Sequence, residues 1–409
     1  MDVYQGAVAA LVPFFVAERA YTYAAASGIV LAASLLSSVV QPLFGALTDK
    51  WAMPWLLPVS TLVAGVGVAL AGVGGNYPLT LLAVAVSGIG VAAYHPEAAR
   101  VARQASRGSH TAMSWFSLGG NIGFAAAPLL VAAVVATGGL RASPLLVVPA
   151  LGGTVLCVAA LRSLRAREAA VSGKTTASEE TTAPGEATVS GEATASGKVT
   201  ASEEATASGG PTPSGETRAP EDDWPSFIKL SGAIVCRSIV FTGLSTFIAL
   251  YVRERTGGGQ AAGTVALFVL YLGGAAGTLA GGWLAARYGR IPVVRWSYAA
   301  TVLAVAGVVL ASGPPLYVFV ALASAGLYVP FSLHITLGQD YLPRRMGTAS
   351  GVTLGLTVSI GGLASPLIGA VADAASLRVA LAPLIALPAL GWLLLRTLRE
   401  PEAEPVRRL

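Results

Sequence analysis

Ionisable side chains inside long apolar stretches are the residues of this sequence most able to do chemistry. Arg237 lies about 11 residues into such a stretch, roughly 16 Å from its start at 1.5 Å per residue, close to the middle of a lipid bilayer. Because a charge at that depth costs at least about 2.5 kcal/mol, we expect Arg237 to face a water-filled cavity. Its guanidinium could hold a carboxylate, phosphate or phosphonate through paired hydrogen bonds. A buried ion pair that holds two parts of the protein together is the alternative.

His95 and Glu97 flank Pro96 about 17 residues into another apolar stretch, and Pro96 should break or kink that helix. A carboxylate in a partly dry vestibule can exchange protons near neutral pH, so Glu97 is a candidate proton carrier. It could equally pair with Arg100 or Arg103, one helical turn below, as the latch of a gate. His95 is either a cavity ligand or a histidine satisfied at a helix end.

Asp2, Tyr4 and Gln5 open the first apolar stretch and would line the same cavity. The run from Val3 to Val16 is about one or two turns short of a bilayer span, so we suspect that the start codon is placed too far downstream and that an N-terminal segment is missing. As the sequence stands, Asp2 could also be a frayed surface residue. Further polar and aromatic candidates, each more typical of helix packing than of ligand contact, are Asn121, Trp115, Tyr271, Tyr328 and His334.

Motifs of enzymes and cofactor sites are absent from the sequence. Cys157 and Cys236 both fall inside apolar stretches, and no Cys/His cluster has metal-ligand spacing. There is no Gly-rich loop followed by Lys-Ser/Thr, so ATP is not the expected energy source. With three histidines in all, no Ser/His/Asp or Cys/His set can be assigned. We therefore expect neither an enzyme nor a cofactor, and a proton gradient as the source of energy.

Twelve apolar stretches, six on each side of a polar tract, must position these side chains. Hydrophobic residues make up 54% of the chain, charged residues only 11%, and the mean hydropathy is +0.68, whereas about a quarter of the residues of soluble proteins are charged. Apart from the shorter first one, each stretch is long enough to cross a bilayer as a helix. The predicted helices cover 2–18, 22–47, 53–74, 78–101, 110–137 and 143–163, then 226–252, 261–286, 291–311, 315–340, 347–373 and 376–396.

The polar tract divides the chain into an N-terminal six-helix bundle at 1–167, a disordered cytoplasmic linker at 168–223, a C-terminal six-helix bundle at 224–398 and a tail at 399–409. It is rich in Ser, Thr, Ala, Gly and Glu, and ATASG recurs at 193–197 and 205–209. With almost no large apolar side chain, it cannot bury enough surface to offset the entropy of ordering. A plain tether is the main interpretation; regulation or partner docking through its Ser and Thr residues is the alternative.

The distribution of Lys and Arg predicts the orientation. Most of them fall on the side that also holds both termini and the tract, whereas the other side has only Arg19, Arg141, Arg253, Arg255 and Arg378. By the positive-inside rule both termini are cytoplasmic. The net charge of +5 comes from residues dispersed over many loops, so we expect no nucleic-acid partner.

An internal repeat relates the two halves of the sequence. Gly45 and Gly282, in GALTDK and GWLAARYGR, are 237 residues apart; Pro128 and Pro366, each following a pair of glycines, are 238 apart; and His95 and His334 are 239 apart. Similar landmarks at one offset indicate two homologous halves. The sequence therefore predicts an all-α membrane protein with twelve transmembrane helices in two pseudo-symmetric six-helix bundles.

These motifs resemble those of the major facilitator superfamily. The Gly45–Lys50 segment is similar to its loop motif between helices 2 and 3, while GIGVAAYHPEAARVA (88–102) and SWFSLGGNIGFAAAPLL (114–130) resemble its fosmidomycin-resistance branch. QPLFGALTDKWAMPWLLPVS (41–60) and LPRRMGTASGVTLGLTVSIGGL (342–363) extend the resemblance over all twelve stretches, though not over the linker. The resemblance implies an exporter of antibiotics or related polar metabolites, driven by proton antiport.

The resemblance also implies a cytoplasmic gate, with two departures. The expected gating residues are Gly45, Asp49, Lys50, Arg100, Arg287 and Arg290. Ala286 replaces the carboxylate in the second copy of the loop motif, so only Asp49 can make its charged contacts. Val84 stands where the superfamily often has an arginine in helix 4, so a proton relay through that arginine does not carry over.

The function expected from these observations is proton-coupled efflux by rocking of the two halves around a central site. The partners would be a small molecule, protons and the lipid bilayer, and the protein would be a monomer in the plasma (inner) membrane of a prokaryote. If Glu97 carries the proton, Glu97→Gln abolishes proton-driven transport and leaves substrate exchange. An importer of organic acids or sugars has the same fold, and a non-transporting membrane sensor is the alternative from another class.

Overall fold

A computed structural model describes residues 1–106, 110–179 and 221–401. The helices of the N-terminal half are α1 Asp2–Arg19, α2 Tyr23–Lys50, α3 Leu56–Ala71, α4 Tyr77–Ser106, α5 His110–Gly138 and α6 Val148–Glu179. Those of the C-terminal half are α7 Trp224–Thr256, α8 Gly259–Tyr288, α9 Arg290–Leu310, α10 Pro315–Tyr328, α11 Phe331–Tyr341, α12 Met346–Ala374, α13 Leu377–Leu381 and α14 Ala386–Leu395. Short 3-10 segments cover Gly139–Val147, Pro343–Arg345 and Ala382–Ile385.

The helices have the length and composition of membrane spans. Eight helical stretches of the described residues are long and apolar enough to cross a bilayer, and Leu56–Ala71 and Ile360–Ala374 are shorter apolar helices. With α10 and α11 forming one span and α13 and α14 another, the helices make the predicted two bundles of six, α1–α6 and α7–α14. The predicted fold class is confirmed.

Several predicted boundaries were wrong, and proline accounts for two of the differences. The span predicted at 315–340 is interrupted between α10 and α11 at Pro330, which lacks a backbone N–H and restricts Val329 before it. The last span is interrupted by a 3-10 segment that begins next to Pro383. Pro96, by contrast, does not break its helix, because α4 is continuous from Tyr77 to Ser106.

The polar tract is only partly within the described residues. α6 continues past residue 168 to Glu179, so the first part of the expected linker is helical. Residues 180–220, where disorder was predicted, lie outside the described part of the chain. The second bundle begins at Trp224, as expected, with Asp223 as the N-cap of α7.

Equivalent hydrogen bonds show the pseudo-symmetry of the bundles. The Tyr77 hydroxyl of α4 donates to the Ala25 carbonyl of α2 at 2.9 Å. In the second bundle the Tyr317 hydroxyl of α10 donates to the Ala262 carbonyl of α8 at 3.4 Å. The repeat inferred from the sequence is therefore also a structural repeat.

A second pair of equivalent contacts involves arginines at the ends of α1 and α7. Arg19 donates to the Gly72 and Gly74 carbonyls at the end of α3. Arg255 donates to the Leu310 and Ala311 carbonyls at the end of α9. Each arginine caps the C-terminus of a neighbouring helix in its own bundle, where a positive charge is favourable.

The two ends of the molecule differ, and we name them by their residues. The basic end carries Lys50, Arg100, Arg290, Arg344 and Arg345; the opposite end carries Arg19, Tyr23, Glu254, Arg255 and Asp373. α2 packs on α12, and α5 on α8, across the boundary between the bundles.

Close contact between the bundles extends from the middle of the molecule to the opposite end. A Cβ on Gly369 of α12 would lie 2.7 Å from the Tyr23 carbonyl of α2. Toward the basic end, no described atom outside the helix lies within 4 Å of a Cβ placed on Gly45 or Gly119, and Leu43 is mostly exposed. Among the side chains that the structure describes, the contacts that join the bundles extend from the middle of the molecule to the opposite end, and we interpret the basic end as the open one.

Candidate functional site

A contact between an imidazole of α4 and a carboxylate at the start of α1 lies near the centre of the molecule. His95 Nε2 is 3.8 Å from Asp2 Oδ1, and these side chains remain 29% and 21% exposed. Asp2 packs against α5 about midway along that helix, where a Cβ on Gly120 would come 3.3 Å from Asp2 Oδ2. The absence of a side chain at Gly120 leaves room for the carboxylate. A titratable pair is thus partly exposed near the middle of the molecule.

Aromatic side chains connect the two bundles at the same depth. Phe124 of α5 lies 5.5 Å from Tyr271 of α8 between ring centroids, and Phe241 of α7 lies 6.5 Å from Tyr271 and 5.0 Å from Tyr328. We call Phe124, Phe241, Tyr271 and Tyr328 the aromatic floor, because their ring contacts run from α5 of the first bundle to α7, α8 and α10 of the second.

Arg237 lies behind this floor and not on it. It is 2% exposed, donates to the Leu327 carbonyl at 3.0 Å, and its guanidinium carbon lies 5.3 Å from the centroid of the Phe331 ring. These contacts are all within the C-terminal bundle, so they give no support to an ion pair between the halves. The Arg237 side chain is almost fully shielded from solvent in this conformation, and direct substrate contact stays a prediction.

His334 is buried close to Arg237. It is almost fully buried, its ring lies 5.8 Å from that of Tyr298, and neither ring nitrogen has a hydrogen-bond partner among the described residues. Buried polar atoms of this kind are usually hydrated. His334 therefore belongs to the buried polar interior of the second bundle, away from its repeat partner His95.

Glu97 forms the ion pair that was one of its two predicted interpretations. Its side chain is fully buried, and Arg100 donates to both carboxylate oxygens, with Nε 2.9 Å from Oε2. This bidentate arrangement joins two successive turns of α4. Glu97 thus has a partner on its own helix, whereas the His95–Asp2 pair joins two helices.

The remaining site candidates of the N-terminal bundle are dispersed. The buried Tyr4 hydroxyl donates to the Leu146 carbonyl at 3.0 Å, so Tyr4 stabilises the packing of that bundle. Gln5 and Asn121 are partly buried, and Trp115, at 69% exposed, lies toward the basic end of α5. Among the described contacts, none joins these four residues to the His95–Asp2 pair.

Among the gating candidates whose side chains the structure describes, no contact with one another across the bundles is found. Gly45 has open space around it, Lys50 is exposed, and the Asp49 side chain lies outside what the structure describes. Arg287 lies over the ring of its neighbour Tyr288.

Arg290 pairs with Asp340 and Glu400, both in the C-terminal bundle. Both contacts lie within one bundle, so among the described residues Arg290 does not join the two halves.

Sequence reasoning missed Phe124, Phe241 and the contacts at the opposite end. Aromatic residues are common in membrane helices on lipid-facing and inward-facing positions alike, so no signal distinguished the phenylalanines. A signal did exist at the opposite end, because Glu18-Arg19 and Glu254-Arg255 are the same dipeptide, 236 residues apart. That repeat could have indicated the two helix-capping arginines.

Comparison with known proteins agrees with this architecture. The family model described as Major Facilitator Superfamily matches residues 3–366. The Fosmidomycin resistance protein of Escherichia coli (strain K12) is 28% identical over 397 residues, covering 96% of this chain and 88% of that protein. An uncharacterised MFS-type transporter of Bacillus subtilis (strain 168) is 30% identical over 403 residues, with the same coverage.

Among solved structures, a bacterial homologue of the human lysosomal transporter Spinster, in an inward-facing and occupied conformation, superposes with a TM-score of 0.68. The two share 14% identity, over 96% of this chain and 94% of that one. The family match over most of the sequence and the two-bundle fold together show that this chain belongs to the Major Facilitator Superfamily and is a membrane transporter.

Proposed function

We propose that the protein is a proton-coupled exporter of antibiotics or related polar small molecules. The observation that carries the proposal is the titratable His95–Asp2 pair, which is exposed to the open side at the centre of a two-bundle transporter. The Escherichia coli relative named for fosmidomycin resistance supports export of a drug-like molecule. Protons and a small molecule would be the only partners besides the lipid bilayer, and the protein would act as a monomer.

The orientation in the membrane follows from charge. The basic end carries most of the Lys and Arg residues, which favours the cytoplasm of a prokaryotic plasma membrane and puts both termini there. The opposite end is then extracellular, and the conformation described here is inward-facing, open to the cytoplasm. A substrate would enter from the cytoplasm and meet the His95–Asp2 pair on one side and the aromatic floor on the other.

Coupling would work through occupancy of the His95–Asp2 pair by a proton. In the outward-facing conformation the pair takes up one proton from outside, and the substrate leaves. In the inward-facing conformation the proton is lost to the cytoplasm, which restores the charge of Asp2 and the affinity for substrate. Glu97, fully buried and held by Arg100, would stabilise α4 below the pair rather than carry the proton.

The test is proton flux in proteoliposomes of known orientation, followed with an internal pH dye. A panel of antibiotics, phosphonates and small organic acids would be compared for the parent, Asp2→Asn and His95→Gln, with Ser163→Ala as a control on an exposed part of α6. We expect one class of compound to drive proton movement in the parent and the control. Both site variants should lose proton movement and keep exchange of labelled substrate.

The opposite outcome would be as informative. Proton movement that survives in both site variants would contradict the assigned pair. Movement of substrate and protons in the same direction would contradict export and favour the importer. A complete lack of substrate-dependent flux across the panel would contradict proton coupling with these compounds.

A further inference from the structure

At the opposite end, α2 begins on a carboxylate that comes from the other bundle. The backbone N–H of Tyr23 donates to Asp373 Oδ1 at 2.7 Å, and that of Ala24 donates to Asp373 Oδ2 at 2.9 Å. The next N–H, of Ala25, is satisfied by the hydroxyl of the N-cap residue Thr22. Asp373 therefore completes the capping of α2, and its negative charge lies at the positive end of the helix.

A side-chain contact next to it joins the same two bundles. The Tyr23 hydroxyl donates to Glu254 Oε1 at 2.6 Å, and the Tyr23 ring lies 6.4 Å from that of Phe247 on α7. One residue of the N-terminal bundle is thus held by α12 through its backbone and by α7 through its side chain. We call Tyr23, Ala24, Glu254 and Asp373 the outer latch.

The backbones of α2 and α12 are in close contact directly below the latch. A Cβ on Gly369 would lie 2.7 Å from the Ser27 hydroxyl oxygen and 2.8 Å from the Ala24 Cα. Further along α12, a Cβ on Gly362 would overlap the Ser34 hydroxyl. This packing fixes the carboxylate of Asp373 at the start of α2, and separation of the bundles at this end would leave two N–H groups without their acceptors.

The latch has no counterpart at the pseudo-symmetric position. Glu18, the repeat partner of Glu254, accepts from the Leu140 N–H at 2.9 Å, within its own bundle. α8, the repeat partner of α2, begins after Gly258 without a side-chain cap. The latch is therefore a feature of one interface and not a by-product of the repeat.

We propose that Asp373 and Glu254, through Tyr23 and Ala24, set the equilibrium between the inward-facing and outward-facing conformations. They are positioning residues, because they touch neither substrate nor the titratable pair. Opening of the extracellular side must break all three hydrogen bonds, so each bond favours the inward-facing state. The proposal depends on alternating access and not on the identity of the substrate or the coupling ion.

The test is the distance between spin labels at the opposite end, measured in the full chain in lipid nanodiscs without substrate. The labels would be attached to Gly75→Cys, before α4, and Ser312→Cys, before α10, which are both exposed. Cys157→Ser and Cys236→Ala would provide the background. The variants are Asp373→Asn, Glu254→Gln and Tyr23→Phe, and the matched control is Glu18→Gln, an acidic residue whose bond lies within one bundle.

We expect Asp373→Asn to raise the ratio of long to short distances about tenfold, since a tenfold change corresponds to 1.4 kcal/mol. Tyr23→Phe and Glu254→Gln should each raise it by a smaller factor, and together by no more than either alone, because they remove the same bond. Glu18→Gln should leave the distribution unchanged. Melting temperatures close to that of the parent would show that the variants are folded.

Two results would overturn the proposal. One is an unchanged distance distribution in a folded Asp373→Asn protein, for which Asp373→Ala serves as the more severe second variant. The other is an equal shift in Glu18→Gln. Neither result depends on proton flux, so failure of the latch and failure of proton-coupled export are distinguishable.

Discussion

At the residue scale, the central question is which acidic side chain carries the proton. Glu97 was the candidate in the sequence, but its carboxylate is fully buried and held by Arg100, whereas Asp2 and His95 are partly exposed. A proton carrier must exchange protons with the solution on each side in turn, which exposure allows and a buried ion pair opposes. For this reason we propose the His95–Asp2 pair, and not Glu97, as the proton carrier.

A comparison of Glu97→Gln and His95→Gln tests this assignment. We expect Glu97→Gln to lower the melting temperature, because it leaves Arg100 without its charged partner, and to retain proton-driven transport at a reduced rate. His95→Gln should have the reverse effect, with a normal melting temperature and no coupling. Differential scanning fluorimetry and proton flux would measure the two effects, and loss of coupling in Glu97→Gln alone would restore the original hypothesis.

Arg237 gives a second prediction at this scale. Because it donates to the Leu327 carbonyl and lies over the Phe331 ring, Arg237→Ala should destabilise the C-terminal bundle by about 1–3 kcal/mol. Arg237→Lys keeps the positive charge and should destabilise the bundle less than Arg237→Ala. Melting temperatures in detergent, beside proton flux, separate this role from substrate contact: a full loss of flux at an unchanged melting temperature would indicate a direct substrate ligand.

The sequence predicted the charged residues of the site better than their surroundings. Ionisable groups in apolar stretches are rare and costly, so Asp2, His95, Glu97 and Arg237 could be selected by that cost alone. The interaction partner of each residue could not be predicted, since Arg100 and Arg103 are equally near to Glu97 on one helix. Phe124 and Phe241, in contrast, carry no such cost and gave no signal.

At the element scale, glycines determine how closely α8 packs on α10. A Cβ on Gly273 would lie 2.6 Å from the Ala321 carbonyl oxygen, one on Gly277 would lie 2.8 Å from the Ala325 Cα, and one on Gly281 would lie 3.0 Å from the Val329 carbonyl carbon. This small-residue spacing lets the helix backbones touch, as is typical of membrane helices.

Adjacent glycines of α8 provide a matched test of this packing. Gly281→Ala should destabilise the protein by about 1–3 kcal/mol, because the methyl group overlaps the α10 backbone. Gly282→Ala, with nothing within 4 Å, should leave stability unchanged or raise it by about 0.5–1 kcal/mol through helix propensity. The melting temperatures of the two variants are the measurement. Equal changes in melting temperature for Gly281→Ala and Gly282→Ala would contradict close α8–α10 packing.

Helix interruptions marked the limit of prediction from sequence for the elements. Pro96, Pro330 and Pro383 all lie inside apolar stretches, and all could be expected to disturb a helix. The first is accommodated within continuous α4, while the other two accompany interruptions. Which outcome occurs depends on whether neighbouring groups satisfy the freed carbonyl, and that is a property of packing rather than of the local sequence.

At the scale of the whole molecule, the segment between the bundles was predicted to be a tether. If that is correct, replacement of residues 180–220 by a Gly/Ser sequence of equal length should leave transport and melting temperature unchanged. Substrate-driven proton flux in proteoliposomes is the measurement. A loss of flux in a protein that still melts normally would indicate the alternative, a regulatory or docking role.

The twofold plan of the molecule was available from the sequence, because landmarks such as Gly45 and Gly282 recur at one offset. The conformation could not be predicted from the sequence, since the same residues must serve both the inward-facing and the outward-facing state. The asymmetry of Glu18 and Glu254 was also hidden, because identical dipeptides bind within a bundle in one copy and between bundles in the other.

The contacts of Arg290 and Arg295 have a consequence for biosynthesis. Arg290, at the start of α9, pairs with Glu400, and Arg295 donates to the Leu395, Arg396 and Leu398 carbonyls at the end of α14. About a hundred residues separate these groups along the chain. While the ribosome is still translating the intervening helices, both arginines lie at the membrane surface and these acceptors have not yet been synthesised. A nonsense mutation shortly before codon 395 would therefore leave a product with nearly every helix, in which Arg290 keeps Asp340 alone and Arg295 lacks its three carbonyl acceptors.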